Sequence, residues 1–136
     1  MAKKGEERMK ACVVKISTVI DGVERSVQKS GEMSLDTLSA KLIYNDDGAT
    51  VTLTLDNGVL NVLRVGDYSL QLRIEEGKEH FGKLGIGGSM GEIAIRTKKL
   101  TYSLTRNSWL LLAKYTLLTG GEPQETSIRI QAKFRG

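Results

Sequence analysis

Residues 51–74 read VTLTLDNGVLNVLRVGDYSLQLRI, alternating runs separated by two turns. In the first run Val51, Leu53 and Leu55 fall on one side of an extended chain, and Thr52 and Thr54 on the other. In the last, Tyr68, Leu70, Leu72 and Ile74 alternate with Ser69, Gln71 and Arg73. A period of two marks a strand with one face in a core and one in water. Asn57-Gly58 is the dipeptide that a two-residue type I′ hairpin turn selects, because both central residues need positive φ. That turn puts Asp56 opposite Val59, Leu55 opposite Leu60, Leu53 opposite Val62 and Val51 opposite Arg64. Read as a three-residue loop with a glycine bulge, Val65-Gly66-Asp67 sets Arg64 opposite Tyr68 and Val62 opposite Leu70. Both registers turn Arg64 and Tyr68 toward the apolar face, near its rim. An arginine so placed either snorkels out of a barrel mouth or anchors the acidic group of a ligand.

The same alternation recurs on both sides. Cys12, Val14, Ile16, Thr18 and Ile20 share a face, as do Thr126, Ile128, Ile130 and Ala132. Turn signals separate the runs at Asp21-Gly22, Asp46-Asp47-Gly48, Gly66-Asp67, Glu75 to Gly77, Gly87-Gly88, Arg106-Asn107 and Gly120-Gly121. The single proline, Pro123, falls in a loop, and nowhere do apolar residues hold helical spacing for long. MSLDTLSAKL, residues 33–42, offers one short turn at most. The reading is nine or ten antiparallel strands with short connections. So many strands curl, split into two sheets or close, and closure also removes exposed edges. The expectation is an antiparallel barrel or a strongly curled sandwich.

HFGKLGIGGSMGEIAI, residues 80–95, crowds glycine into positions 82, 85, 87, 88 and 91. A phosphate cradle would run strand, glycine loop, helix, so that the helix N-terminus meets the anion. Here Ile93, Ile95 and Thr97 alternate with Glu92, Ala94 and Arg96, which is strand periodicity. After Gly85 and Gly87 the third glycine of G-x-G-x-x-G would have to be Met90. The stretch reads as a hairpin turning at Gly87-Gly88, with Gly82, Gly85 and Gly91 permitting bulges and tight curvature.

The totals narrow the function. A 136-residue chain, 40% hydrophobic and 26% charged, is expected to be one soluble domain. The organisation expected is a flexible charged tail over residues 1–9 and a single barrel domain over 10–136. The longest apolar run, near Trp109 to Ala113, is too short to cross a bilayer as a helix, and MAKKGEERMK lacks the apolar stretch of a signal peptide. One cysteine, Cys12, in apolar phase, points to a buried thiol and a cytoplasmic location. The net charge of +4 is partly terminal, with acidic and basic residues interspersed between, which argues against nucleic acid as a partner. A single histidine, His80, reads as an exposed loop residue, so neither a histidine-dependent hydrolase nor a zinc site is expected. The acidic turns at Asp46 and Asp56 follow no calcium loop, so no metal is expected there either. Trp109, Tyr102 and Tyr115 read as core fillers. No cofactor is implied.

LNVLRVGDYSLQLRIEEG, the glycine hairpin through GEIAIRTKKLTYSL, and LLAKYTLLTGGEPQETSIRI together resemble the YwiB-like family of small bacterial proteins, a domain of unknown function. The elements that carry the resemblance are Arg64 with Gly66, the pattern ending at Thr97, and Tyr115 with Leu117, over about residues 10 to 133. The resemblance implies an all-β fold, a single, mostly up-and-down antiparallel barrel of about eight to ten strands of the lipocalin or calycin kind. It brings no established reaction, cofactor or catalytic residues. The expected function is non-enzymatic binding of a small apolar or amphipathic ligand inside the barrel. Arg64 and Tyr68 would meet the ligand's polar end, and Leu53, Val62, Leu70 and Leu72 would line its body. The alternative is an interaction scaffold for protein or nucleic acid, acting through the outer surface and the basic termini.

Overall fold

The computed structural model describes residues 9–136. Most of the segment expected as a charged tail lies outside the described residues. Ten strands follow one another: β1 (Lys10–Ile20), β2 (Val23–Leu35), β3 (Ser39–Asp46), β4 (Ala49–Asp56), β5 (Val59–Val65), β6 (Tyr68–Glu75), β7 (Glu79–Ile86), β8 (Ser89–Leu104), β9 (Ser108–Leu118) and β10 (Gln124–Phe134). Each pairs antiparallel with its neighbours in sequence, and β1 pairs with β10, so the sheet closes into a barrel. Among the described residues no helix is long and apolar enough to cross a membrane.

Local chemistry places the turns. Asp21-Gly22, Asp47-Gly48 and Asn57-Gly58 all have positive φ at both residues, the geometry whose twist matches two antiparallel strands. The β4–β5 hairpin has the expected register, with Leu53 opposite Val62 and Val51 opposite Arg64. The β5–β6 hairpin differs: Arg64 faces Leu70 and Val62 faces Leu72, two residues away from the three-residue loop. Arg64 itself explains the wider turn. Its Nη1 donates to Asp67 Oδ1 at 3.0 Å and to the Tyr68 carbonyl at 2.8 Å, so the side chain ties the connection together from within. Because the slip is an even number of residues, every side chain keeps its face.

The glycine-rich segment is a hairpin, with Ile86 opposite Ser89 and positive φ at Gly87 and Gly88. Its β7–β8 register runs unbroken from Glu79 opposite Arg96, so Gly82, Gly85 and Gly91 are not bulges. The bulge lies further on, between Thr97 and Lys99. There the β6–β7 connection folds across β8: Gly77 N–H donates to the Thr97 carbonyl, and the Leu100 N–H donates to Glu76 Oε1 at 2.9 Å. Gly82 serves a different end. A methyl group on it would overlap the Gln71 carbonyl oxygen, where β7 crosses β6 at close range. Residues 36–38, expected as part of a short helical turn, form the bend between β2 and β3.

Turns after β1, β3, β5, β7 and β9 mark one end of the barrel, here the upper end; the other turns mark the lower. The middle and lower interior are filled by the barrel's own side chains. Trp109, Met33, Leu42, Leu55, Leu60, Ile74 and Leu111 are all buried to within 2%. Each such side chain contributes roughly 1.5–3 kcal/mol through burial. Among the residues read as core fillers, Trp109 lies in the core and Tyr115 packs against it. Tyr102 is 42% exposed.

Candidate ligand site at the open end of the barrel

The upper end is built differently from the lower. The β2–β3 ladder begins only at Gly31 opposite Tyr44, so the first half of β2 is paired with β1 alone. The wall is therefore open beside it, and side chains in inward phase meet solvent. Ile20 and Val23 face each other across the β1–β2 ladder, and Tyr68 faces Ile86 across β6–β7; all four are exposed, Val23 by 72%. Val27, opposite the buried Ile16, is exposed as well. Apolar side chains thus stand exposed on two sides of the mouth.

Below the rim lies a polar belt in the same inward phase. A cleft of about 230 Å³ opens onto it, bounded by Thr18, Arg25, Lys29, Tyr44, Asp46 and Asp47, with Ile16, Val27 and Ile128 as apolar wall. Lys29 Nζ sits 3.5 Å from Asp46 Oδ1 and 3.9 Å from Asp47 Oδ1. Arg25 has no ion-pair partner among the described residues. Deeper in the belt, Tyr115 faces Thr97 on β8 and Thr126 on β10. Both threonine hydroxyls are buried and lack a hydrogen-bond partner among the described residues. Burial pushes the Tyr115 phenol up to about 12. Tyr44 is pushed up to about 12 too, by burial first and then by the negative charge of Asp46. Both phenols remain neutral donors at ordinary pH.

The six residues expected to line a ligand site all share the inner face. They occupy different depths. Leu53 and Leu72 are buried in the packed core, and Val62 and Leu70 pack against it from above. Arg64 is engaged with its own turn, and its guanidinium lies 3.7 Å from the centroid of the Tyr68 ring, at the rim. The hydrogen bond from Arg64 holds the Asp67 carboxyl below its ordinary range. None of these six borders the 230 Å³ cleft, which lies across the mouth on β1, β2, β3 and β10. Sequence reading passed over Arg25, Lys29 and Tyr44. The signal was present in VERSVQKS, where Val23, Arg25, Val27 and Lys29 share one phase across the Asp21-Gly22 turn from Ile20. His80 is not a loop residue; it lies on β7 at the lower end, part-buried, with Nε2 3.0 Å from Glu75 Oε1. That contact lowers the Glu75 carboxyl below its ordinary range. Among the described residues no cluster of three or more potential metal ligands occurs.

The sequence profile described as "Domain of unknown function (DUF1934)" matches residues 13–130, nearly the whole barrel. The chain belongs to this DUF1934 family. Among solved structures, the ywiB protein from Bacillus subtilis superimposes with a TM-score of 0.80, covering 94% of each chain at 15% sequence identity. At that identity the likeness speaks for the fold. No curated protein matches the chain. The elements by which the sequence resembles other DUF1934 chains share the inner face: Arg64 is paired with Val51, and Thr97 faces Tyr115 with Leu117 two residues on. Gly66 is required there because a methyl group on it would lie 2.6 Å from Ala49 Cβ.

Proposed function

We propose that this DUF1934 barrel binds a small amphipathic molecule carrying an acidic group, seated in its upper mouth. One observation carries the reading: inward-phase apolar side chains lie exposed at one end, above a polar cleft whose Arg25 has no ion-pair partner among the described residues. The apolar part of the ligand would replace water against Ile20, Val23, Val27 and Ile86. Its acid would meet Arg25, beside the Lys29 ammonium and the neutral Tyr44 phenol. A cleft of about 230 Å³ is smaller than most drug-sized sites, so the buried part of the ligand is short. Binding rather than catalysis is the better reading, because the chain's one imidazole is engaged with Glu75 at the opposite end of the barrel. The buried, unpaired Cys12 supports a reducing compartment such as the cytoplasm.

Titration with octanoate and with octanol, followed by amide NMR shifts, tests the proposal. Octanoate is expected to move residues 16–29 and 44–47. Arg25→Gln should weaken octanoate about tenfold or more and leave octanol unchanged, the loss expected of a charge-assisted hydrogen bond. Shifts confined to the outer surface, or octanoate binding indifferent to Arg25→Gln, would overturn it.

A further inference from the structure

We infer that the outer wall formed by β8, β9, β10 and β1 is a binding track for single-stranded nucleic acid. The ladders bring cations from distant parts of the chain into single file. Lys99 on β8 lies directly opposite Lys114 on β9. Lys114 faces Ser127, which makes Arg129 its diagonal neighbour on β10. Arg129 faces Ser17 and Lys15 faces Gln131, so Lys15 is diagonal to Arg129 on one side and to Lys133 on the other. Opposite and diagonal neighbours on one face are about 5 and about 7–8 Å apart, so the file is continuous. All five side chains point outward and are exposed. None makes an ion pair or a side-chain hydrogen bond among the described residues, whereas Arg96, beside them on β8, is tied to Glu79.

Two features separate this track from an ordinary solvated surface. Like charges directly opposite one another destabilise a sheet, and the Lys99–Lys114 pair carries that cost with no ion pair among the described residues, Glu125 standing diagonal to Lys114 without closing on it. Lys98, extruded by the bulge, adds a third cation beside them. The wall is also furrowed. A cleft of about 380 Å³ includes Lys98 and Lys114 together with Asp21 and Glu125, one of about 430 Å³ includes Lys15 and Arg129, and a third of about 320 Å³ shares Arg129. The far wall contrasts: outward positions of β4 and β5 hold Thr50, Thr52, Thr54, Asn61 and Leu63. Carboxylates border the file: Glu125, diagonal to Lys114 on the side away from Arg129, and Glu24, which accepts from Ser17. A single row of cations suits one phosphodiester chain; a duplex presents two, set apart by its grooves.

Fluorescence anisotropy with a labelled oligouridylate tests this on the full chain. Five neutralised phosphates give a slope of about −3.5 in log affinity against log salt, a loss of about a hundredfold between about 50 and about 200 mM. Lys114→Gln with Arg129→Gln should bring the slope to about −2, with a melting temperature that does not fall, since the Lys99–Lys114 repulsion is relieved. Neutralising Lys3, Lys4 and Arg8 in the full chain should leave the slope as it is. The proposal fails if low salt gives no binding, if a duplex or polyglutamate binds as tightly, or if the terminal variant removes binding while the track variant does not.

Discussion

Replacing Thr97 and Thr126 by valine should make the protein more stable. Their side chains are 2% and 7% exposed, and neither hydroxyl has a hydrogen-bond partner among the described residues. A buried hydroxyl left unpaired costs about 1–3 kcal/mol relative to water, and valine substitutes a methyl group of similar size at a position that already holds β-branched geometry. Taking the low end, each replacement stabilises by about 1 kcal/mol. The two residues flank Tyr115 on neighbouring strands, so they lie two strand spacings apart, about 10 Å, and their effects should add. The double variant is then about 2 kcal/mol more stable, which in a domain of this size raises Tm by roughly 6–10 °C. Urea denaturation followed by circular dichroism, with calorimetry alongside, measures both quantities, and an unchanged m value shows that the compactness of the end states is the same. A loss of about 1 kcal/mol or more in either single variant would refute the reasoning. It would mean that the hydroxyl is paired in solution.

Two further outcomes follow from the same geometry. Gly82→Ala should destabilise by about 1–3 kcal/mol, because the added methyl overlaps the Gln71 carbonyl and backbone must move; Gly91→Ala, whose methyl would stand 3.8 Å from the Leu84 carbonyl, should stay within about 0.5 kcal/mol, and equal denaturation midpoints for the two variants would contradict the close crossing. In a spectrophotometric titration, Tyr44 and Tyr115 should ionise at about 12. Since their folded values lie above the unfolded value of about 10, the stability they confer is complete below about 10 and lost as pH rises toward about 12. Alkaline unfolding should therefore fall in that window and weaken in Tyr44→Phe and Tyr115→Phe; ionisation of Tyr44 and Tyr115 near the unfolded value of about 10 would contradict their burial.

Much of the barrel is written locally. Asn57-Gly58 specifies a turn because few residues tolerate positive φ, and that turn sets the pairing of Leu53 with Val62. Phase is robust for a similar reason: the β5–β6 pairing differs by two residues from the three-residue loop, yet Arg64 remains on the inner face, since parity alone decides the side. What does not show in a string of residues is depth. Leu53 and Leu72 have the same phase as Val23 and Val27, but the first pair is packed over by facing strands while the second stands where β2 has lost a neighbour. The position of the bulge was equally hidden, because Lys98 is extruded by the β6–β7 connection folding onto β8, a contact between segments some twenty residues apart.

Alternation and turn chemistry depend on a residue and its immediate neighbours, and from these follow the strands, their order of succession and the side to which each side chain turns. Closure is another matter. It sets β1 against β10 and so places Lys15 beside Arg129, and Arg25 near Ile128, across more than a hundred residues of chain. Charges that look evenly mixed along the sequence become a row on one wall and a cleft at one mouth. Electrostatics and burial act through space, and distance along the chain carries no information about them until the sheet has met itself.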